Sequence, residues 1–352
     1  MIIRSRAPLR IGLAGGGTDL SSFSDQYGGC VFNSTIGMYA YCTIIPTDDN
    51  KIKIYAYDNK NNMETKSVPY LPIDDDNTLI LHKGVYNRIV KDYNGGKPLS
   101  FIMSTSNDAP IGSGLGTSST MVVAILEAFN KWLSLGLNDY QKAFLAYDIE
   151  RNDLKLAGGK QDQYAAVFGG FNYIEFKQDK TVVVNSLRID KSIVSELECS
   201  IVLYYLGKDR KSANIQKELT KNIINEQLSN TKNKNTKTLE AMENLKKFAK
   251  EMKDCLLVGD FDGFSNCLNK GWENKKKTSK VVSNQMIEDT INFAFENGAK
   301  SVKVSGAGGG GFLLFYCDPI NRQKLINALQ SLPGTIYPTK FTKHGAESWI
   351  TG

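Results

Sequence analysis

The 352-residue sequence is poor in several features that define common classes of protein. It has only two histidines, His82 and His344, and neither belongs to a catalytic pattern, so a histidine-based mechanism is disfavoured. Its six cysteines form no CxxC pair, which argues against a zinc site and a disulfide framework. No apolar run approaches the about 20 residues that cross a bilayer, and the N-terminus lacks the apolar core of a signal peptide. These absences predict a cytoplasmic protein with reduced thiols and no membrane partner.

The charge balance is basic, with a formal net charge of +6 and many lysines between Lys208 and Lys280. A basic balance fits an anionic small substrate or a nucleic acid. We interpret most of these lysines as solvated helix faces, which leaves nucleic-acid binding without other support and predicts no nucleic-acid partner. The hydrophobic content of 41% and the charged content of 23% are ordinary for a globular protein.

What the sequence does contain is a glycine-rich segment, Pro110–Thr120, with three glycines followed by four consecutive hydroxyl residues. A strand is predicted before it, over Leu99–Met103, and a buried helix after it, over Met121–Phe129. Glycines let backbone N–H groups approach oxygen atoms closely, and the dipole of a helix start favours an anion. The segment therefore predicts a nucleotide-phosphate site, although the hydroxyls alone would also fit helix capping.

The rest of the chain predicts helices and strands in both halves. Helices are predicted over Thr78–Tyr93, over Asp139–Arg151 with Asn138 as its cap, and along the apolar positions from Leu239 to Leu256. Strands are predicted over Cys30–Phe32, Tyr39–Ile45, Lys51–Tyr55, Phe171–Phe176, Thr181–Val184, Ser200–Tyr205, Ser301–Val304 and Phe312–Tyr316. We predict two domains, residues 1–190 and 191–352.

Three familiar nucleotide-binding classes lack their motifs in this chain. A Walker A loop needs Gly-Lys followed by Ser or Thr, but Gly96-Lys97 precedes Pro and Gly159-Lys160 precedes Gln. Nothing like a protein-kinase catalytic loop precedes Asp260–Gly263. The G-x-G-x-x-G pattern at Gly306–Gly311 leads into a predicted strand, whereas a dinucleotide-binding fold requires a helix there.

Three motifs remain, in the order Pro8–Asp19, Pro110–Ser119 and Lys303–Gly311. Their order and spacing resemble the GHMP kinase superfamily over nearly the whole chain. Together with Gly158–Gln163 they are most similar to the D-glycero-D-manno-heptose 7-phosphate 1-kinase group, and fucokinases are similar at the same places. The resemblance implies an α+β fold of two domains with the active site in the cleft between them.

The galactokinases share only the frame of the first motif. They carry Glu and His, which contact the sugar, where this chain has Gly16 and Gly17. The resemblance therefore makes galactose a poor candidate for the acceptor.

The resemblance implies ATP as phosphoryl donor and Mg²⁺ as cofactor. Ser118 matches the magnesium-ligating serine, with Ser119 as the alternative if the register is shifted by one residue. Glu150 is the expected second ligand, because Mg²⁺ prefers oxygen donors; taken alone, it would be interpreted as a surface residue. The expected ATP-binding residues are Pro110, Gly112, Ser113, Gly114, Leu115, Gly116, Thr117, Ser118 and Ser119.

Two residues match the catalytic groups of the superfamily. Asp162 matches the catalytic aspartate, which would orient the acceptor hydroxyl and accept its proton. Arg10 matches an arginine of the first motif, which would stabilise charge on the transferred phosphoryl group. From the residues alone, Asp162 could instead cap a helix and Arg10 could form a surface salt bridge.

The expected acceptor site combines all three motifs with a basic loop. Thr18 and Asp19 should hydrogen-bond sugar hydroxyls, and the third motif should close over the phosphates and the substrate. Lys208 and Arg210 follow a predicted strand and open a helix, which suits a second anion site. Trp272 also matches the pattern, with core packing as an equal alternative. The full set of expected acceptor-binding residues is Gly17, Thr18, Asp19, Lys208, Arg210, Gly306, Ala307, Gly308 and Gly309.

The resemblance therefore predicts an ATP- and magnesium-dependent kinase of a phosphorylated heptose. The sequence leaves the oligomeric state open, with a homodimer as one candidate. It would phosphorylate the anomeric C1 hydroxyl of D-glycero-D-manno-heptose 7-phosphate to the 1,7-bisphosphate, a precursor of GDP-heptose for capsule and other surface polysaccharides. A fucose-type or other hexose 1-kinase is the first alternative. A catalytically silent sugar-sensing protein on the same scaffold is the second.

Overall fold

The computed structural model of the chain describes residues 1–58, 60–73, 78–207, 212–228 and 237–352. In the first half the elements are, in order, β1 (Ile2–Ala14), α1 (Ser21–Tyr27), β2 (Gly29–Pro46), β3 (Lys51–Ala56), β4 (Asn61–Lys66), α2 (Ile80–Tyr93), β5 (Phe101–Asn107), α3 (Thr117–Trp132), α4 (Asp139–Asp148), α5 (Gln161–Phe168), β6 (Phe171–Phe176) and β7 (Val182–Ser186). In the second half they are α6 (Lys191–Ser200), β8 (Ile201–Tyr205), α7 (Ser212–Leu228), α8 (Lys237–Val258), α9 (Phe261–Thr278), α10 (Gln285–Glu296), β9 (Ala299–Val304), β10 (Phe312–Cys317), α11 (Pro319–Leu329), β11 (Thr335–Tyr337) and β12 (Glu347–Thr351).

The first sheet follows the order β12-β1-β2-β5-β3-β4, with β6 pairing β2 and β7 pairing β6. All its neighbouring strands are antiparallel except β3 and β5, which are parallel. The last strand, β12, pairs with β1, so the C-terminal end of the chain returns to the sheet of the first half. Apart from β12, the strands of the first sheet precede residue 190 and those of the second sheet follow it. The domain boundary at this residue stays a prediction.

The second sheet has the order β11-β8-β10-β9 and is antiparallel throughout. One apolar cluster joins it to the first sheet: Leu9 and Ile11 of β1 pack in the same core as Leu203 of β8 and Leu314 of β10, together with Met252 of α8. Because this core is shared, the two sheets hold each other in place and define the space between them.

Most predicted elements are confirmed, with informative differences at their ends. The helix after the glycine loop begins at Thr117, four residues earlier than predicted, because the hydroxyl run is its first turn. Asn138 caps α4 in a reciprocal pair of hydrogen bonds with Gln141, as predicted. Beyond α4 the backbone does not continue as an α-helix but forms a π-turn over Ile149–Asp153.

The prediction of separate short strands between residues 30 and 45 is wrong. β2 is one strand from Gly29 to Pro46, and Gly37 lies inside it and donates its N–H to the carbonyl of Lys340. The register with β1 shifts twice along this length, so the strand bends without ending. Within the described ranges, no helix is long and apolar enough to span a membrane.

Candidate active site

The glycine loop between β5 and α3 forms one wall of a cavity of about 240 Å³. Gly112, Gly114 and Gly116 have φ values of 77°, 87° and 79°, which L side chains rarely adopt, so these positions need glycine. Gly116 precedes α3 without a side-chain cap, and the prediction that a hydroxyl caps this helix is wrong. Residues from both halves line the cavity: Arg10, Gly112, Gly114, Gly116, Thr117, Ser118, Ser119, Glu150, Arg151, Leu156, Ala157, Asp162, Gln216, Gly306 and Ala307.

The third motif packs directly on this loop, backbone against backbone. A Cβ on Gly114 would lie 2.6 Å from the Ser305 carbonyl oxygen, and a Cβ on Gly306 would lie 2.8 Å from the Gly114 Cα. The N–H of Phe312 donates to the carbonyl of Ser113 at 3.0 Å. Each motif therefore needs glycine where the backbone of the other approaches it. Through this contact, the loop between two strands of the second sheet forms the opposite wall of the cavity.

Arg10 and Asp162 form an ion pair in the wall of the cavity. Arg10 is only 3% exposed, and its Nε and Nη2 lie 2.7 and 2.6 Å from the Asp162 Oδ1. Its Nη1 donates to the Gly114 carbonyl at 2.7 Å. Arg10 thereby ties the first turn of α5 to the glycine loop. The surface salt-bridge alternative is wrong because the guanidinium is buried, and Asp162 lies inside the first turn of α5, beyond the cap position at Lys160.

Glu150 faces the cavity from the π-turn and is only 2% exposed, which excludes the surface interpretation. The Ser119 hydroxyl donates to its Oε1 at 3.0 Å, and the Gln163 amide donates to both the carboxylate and that hydroxyl. Burial raises the pKa of Glu150. The neighbouring Ser118 is exposed and lines the cavity from the loop side. The structure thus brings Ser119 to Glu150 and leaves Ser118 open to the cavity.

Arg151, which the sequence reasoning did not select, also lines the cavity. Its Nη1 donates to the Leu156 carbonyl at 3.2 Å, and its Nη2 donates to the Gly159 carbonyl at 3.3 Å. These bonds hold the segment that leads into α5 and Asp162. Adjacent residues both reach the cavity because the backbone there is a π-turn, which a sequence pattern does not reveal.

A smaller cavity of about 40 Å³ adjoins the first. Both are lined by Arg10, Asp162, Gln216, Gly306 and Ala307, so they meet at the ion pair. The smaller cavity is also lined by Gly17, Asp19, Leu20, Gly159, Gln161, Ile215, Leu219 and Lys275. Asp19 is 3% exposed and accepts the N–H groups of Gly17 and Gln161, at 3.0 and 3.1 Å.

Some of the predicted binding residues do not reach either cavity. Thr18 is fully buried, and its hydroxyl donates to the carbonyls of Gly15 and Cys30, so its role is to hold the first motif in shape. Ser113 and Leu115 are also fully buried and contribute backbone and packing. The other such residues are Pro110, whose carbonyl accepts the N–H of Ser113 in the turn that opens the loop, and Gly308 and Gly309, which pack against Val282. Lys208 and Arg210 lie outside the described residues.

The family of the chain follows from comparison with known proteins. Residues 81–170 match the N-terminal domain of the GHMP kinases, and residues 240–333 match the C-terminal domain. The D-glycero-alpha-D-manno-heptose 7-phosphate kinase of Campylobacter jejuni is 45% identical over 99% of this chain and 98% of its own length. The chain belongs to the GHMP kinase family. It is an ATP-dependent sugar kinase with the predicted α+β fold.

Two solved structures share the fold of this GHMP kinase. The crystal structure of a D-glycero-D-manno-heptose 1-phosphate kinase from Bacteroides thetaiotaomicron is 45% identical, covers 99% of both chains and has a TM-score of 0.83. The galactokinase of Lactococcus lactis in complex with galactose covers 98% of this chain and 95% of its own, with a TM-score of 0.77. At 18% identity the second likeness concerns the fold alone.

In this GHMP kinase two lysines that the sequence reasoning did not select lie against the first motif. Lys275 of α9 is buried, and its Nζ donates to the Gly16 carbonyl at 3.1 Å. Lys303 of β9 places its Nζ 3.9 Å from where a Cβ on Gly16 would lie. Burial lowers the pKa of Lys275 to about 8 and that of Lys303 to about 7. The absence of side chains at Gly16 and Gly17 was the one hint in the sequence that side chains from elsewhere in the chain fill this space.

Trp272 of the same helix belongs to an apolar core and not to either cavity. It is 3% exposed and packs with Val202, Tyr204 and Ile215. The core-packing alternative for this residue is therefore the one that the kinase structure favours.

Gly159→Ala is expected to damage acceptor binding selectively. A Cβ at this position would lie 1.8 Å from the Asp19 Oδ2, so the carboxylate would have to leave its two backbone donors. We expect KM for the sugar acceptor to rise at least about tenfold, because a displaced Asp19 would lose a charge-assisted hydrogen bond to the sugar. KM for ATP should change little. Gly271→Ala on α9 is the control, because its Cβ meets nothing within 4 Å. Equal changes in both KM values would contradict the role of Gly159.

Proposed function

We propose that this kinase transfers the γ-phosphoryl group of ATP to the anomeric C1 hydroxyl of D-glycero-D-manno-heptose 7-phosphate. The observation that carries the proposal is the meeting of the two cavities at the Arg10–Asp162 ion pair. A donor phosphate and an acceptor hydroxyl in these cavities would face the same carboxylate. The heptose is suggested by the 45% identical relative from Campylobacter jejuni, a heptose 7-phosphate kinase.

In this proposal the ATP phosphates occupy the larger cavity, against the N–H groups of the glycine loop and the start of α3. A neighbouring cavity of about 120 Å³ shares Thr117 and Ser118 with it and suits the nucleoside. Its remaining wall is largely apolar and includes Leu79, Ile80 and Ile111. The two faces of an adenine base are flat and aromatic, so such a wall suits them.

Mg²⁺ fits the oxygen donors at one side of the phosphate cavity. The buried Glu150 carboxylate and the hydroxyls of Ser118 and Ser119 all line it. In the parts of the chain that are described, no group of three or more His, Cys, Asp or Glu could hold a metal. A site with one carboxylate and two hydroxyl groups suits Mg²⁺, which keeps water and phosphate oxygens as its other ligands. When bound, the ion neutralises charge on the phosphates during transfer.

Asp162 is the proposed base and Arg10 the group that orients it. Both close contacts of the guanidinium are made to Oδ1, while Oδ2 lies on the side of Gly116 and the phosphate loop. An acceptor hydroxyl in the smaller cavity can therefore donate to the carboxylate while its oxygen is aimed at the γ-phosphorus. Asp162 would accept the proton late in the transfer, and Arg10 would offset the negative charge that develops.

An acceptor panel tests the proposal. Purified enzyme with ATP and Mg²⁺ is offered heptose 7-phosphate, the same heptose without phosphate, a hexose 6-phosphate, fucose and galactose. We expect the highest kcat/KM with heptose 7-phosphate, and phosphorus NMR of the product showing a second phosphate coupled to the anomeric proton. A preference for fucose or another unphosphorylated hexose would overturn the substrate, and absence of turnover with every acceptor would favour the sugar-sensing alternative.

A further inference from the structure

The two ammonium groups of Lys275 and Lys303 occupy the space above a glycine pair. A Cβ on Gly17 would lie 3.0 Å from the Lys275 Nζ, and a Cβ on Gly16 would lie 3.9 Å from the Lys303 Nζ. A side chain at Gly17 would press on the Lys275 ammonium group, and a Cβ at Gly16 would only touch that of Lys303, so a side chain longer than alanine there would crowd it. The first motif therefore leaves room for cations that come from two different elements, α9 and β9.

The charges around these two lysines do not balance. Among the described residues, the charged groups that act on them are Asp19, from the loop after β1, and Arg10, from β1. Arg10 is already neutralised by Asp162, so Asp19 is the single carboxylate that faces two ammonium groups. A buried unpaired charge is costly, so such a group either gives up its proton or is compensated by a ligand.

Lys275 brings this positive charge to the acceptor side of the site, whereas Lys303 lines neither cavity and lies beside Gly16. Lys275 lines the smaller cavity with Asp19 and Gly17, and it is not part of the wall of the phosphate cavity. A second anion, other than the ATP phosphates, is therefore what this corner lacks.

We infer that Lys275 and Lys303 together form an anion-binding subsite that holds the phosphate ester of the acceptor. The inference rests on the proposed function, in which the acceptor carries a phosphate ester. It assigns the recognition of that group to α9 and β9, whereas the sequence alone suggested Lys208 and Arg210. Two ammonium groups near enough to repel each other match a phosphate dianion, which accepts several charge-assisted hydrogen bonds.

Proton uptake is the distinctive signature of such a subsite. Burial and the repulsion of Lys275 and Arg10 lower the pKa of Lys303 to about 7, with Asp19 opposing the shift. Near pH 8 this amine is therefore largely neutral in the free enzyme. A bound phosphate dianion favours the ammonium form, so binding takes up a proton, and affinity falls as pH rises through this range.

The experiment compares Lys275→Met and Lys303→Met with Lys277→Met, an exposed lysine on α9. Each variant is assayed with heptose 7-phosphate and with the same heptose without phosphate. We expect KM for the phosphorylated sugar to rise about 30-fold or more in the first two variants, the effect of truncating one partner of a buried charge pair. KM for the neutral sugar, and both KM values of Lys277→Met, should stay within about threefold.

Two further measurements separate binding from structural damage. Isothermal titration of the wild-type enzyme at pH 8, in buffers of different ionisation enthalpy, should show uptake of about one proton with the phosphorylated sugar and none with the neutral one. The melting temperature of the unliganded Lys303→Met variant should rise, because the cost of burying an amine that must lose its proton on folding, and its repulsion by Lys275 and Arg10, are removed.

Specific outcomes overturn the inference. Equal losses with both sugars would show that the lysines contact hydroxyls, while the proposed function would stand. Loss of the preference for the phosphorylated sugar in Arg210→Ala, with the preference intact in both lysine variants, would return the subsite to the sequence-predicted loop. If the wild-type enzyme neither phosphorylates nor binds heptose 7-phosphate, the proposed function itself fails.

Discussion

Asp162→Asn is expected to lower kcat by about 10²- to 10⁴-fold, the range for loss of a positioned general base. The amide matches the carboxylate in size and can still accept from Arg10, but it cannot take the proton of the acceptor hydroxyl. The measurement is steady-state kinetics with saturating ATP, Mg²⁺ and sugar phosphate. Binding of ATP, followed separately by titration, should change little because the glycine loop is untouched.

Asp318→Asn is the matched control for this change. Asp318 also pairs with a cation, Lys300 at 2.6 Å, but the pair is exposed and lies outside both cavities. We expect its kcat to equal that of the wild-type enzyme. Near wild-type turnover in Asp162→Asn would show that the ion pair with Arg10 is structural and that no base is needed from this residue.

Glu150→Gln is expected to raise the Mg²⁺ concentration needed for half-maximal activity by about 100-fold, the upper range for disturbing a metal site. The amide keeps the shape and the contacts with Ser119 and Gln163 but offers no negative charge. The measurement is a Mg²⁺ titration at fixed ATP, at two pH values. For the wild-type enzyme the requirement should increase as pH falls, because burial raises the pKa of Glu150 and a protonated carboxyl group binds Mg²⁺ poorly.

In Glu150→Gln the stability of the unliganded protein should increase, whereas activity at limiting Mg²⁺ should decrease. A carboxyl group whose pKa is higher in the folded state binds more protons there, so its ionisation makes folding less favourable as pH rises through that pKa. Removing the charge in Glu150→Gln should therefore raise the melting temperature of the unliganded protein at pH 8.

Glu127→Gln is the control for both readouts. Glu127 is also buried, but Lys142 pairs with it at 3.0 Å and the pair lies outside the phosphate cavity. We expect a lower melting temperature, because Lys142 loses its buried partner and keeps the more exposed Asp139, and an unchanged Mg²⁺ requirement. A normal Mg²⁺ requirement in Glu150→Gln would remove Glu150 from the metal site.

Several parts of this site were predictable because they depend on local chemistry. The glycines of Pro110–Thr120 are needed for φ values that other residues avoid, and a hydroxyl-rich helix start follows them directly. The position of Asp162 in the first turn of a helix also follows from its neighbours in the sequence. For such features the determining residues lie within one turn of each other, and the pattern is visible in the chain itself.

Other contacts of the site could not be predicted, because they depend on how a helix is rotated or on the conformation of a turn. Whether Ser118 or Ser119 contacts Glu150 is decided by about 100° of rotation around α3, which no composition rule specifies. The π-turn after α4 brings both Glu150 and Arg151 to one cavity, although adjacent residues of a regular helix would diverge.

The family motifs, the glycine loop and the residue types needed for the chemistry were predictable because each is encoded in contiguous residues. Which of these residues meet depends on how distant elements pack. Arg10 and Asp162 are 152 residues apart, and their contact exists because β1 and α5 pack against each other. Lys275 and Lys303 reach Gly16 for the same reason: α9 and β9 pack together beside β1, and the glycines leave the space their ammonium groups fill. Packing of distant elements is set by the shared apolar core, so these neighbours are invisible in a linear pattern.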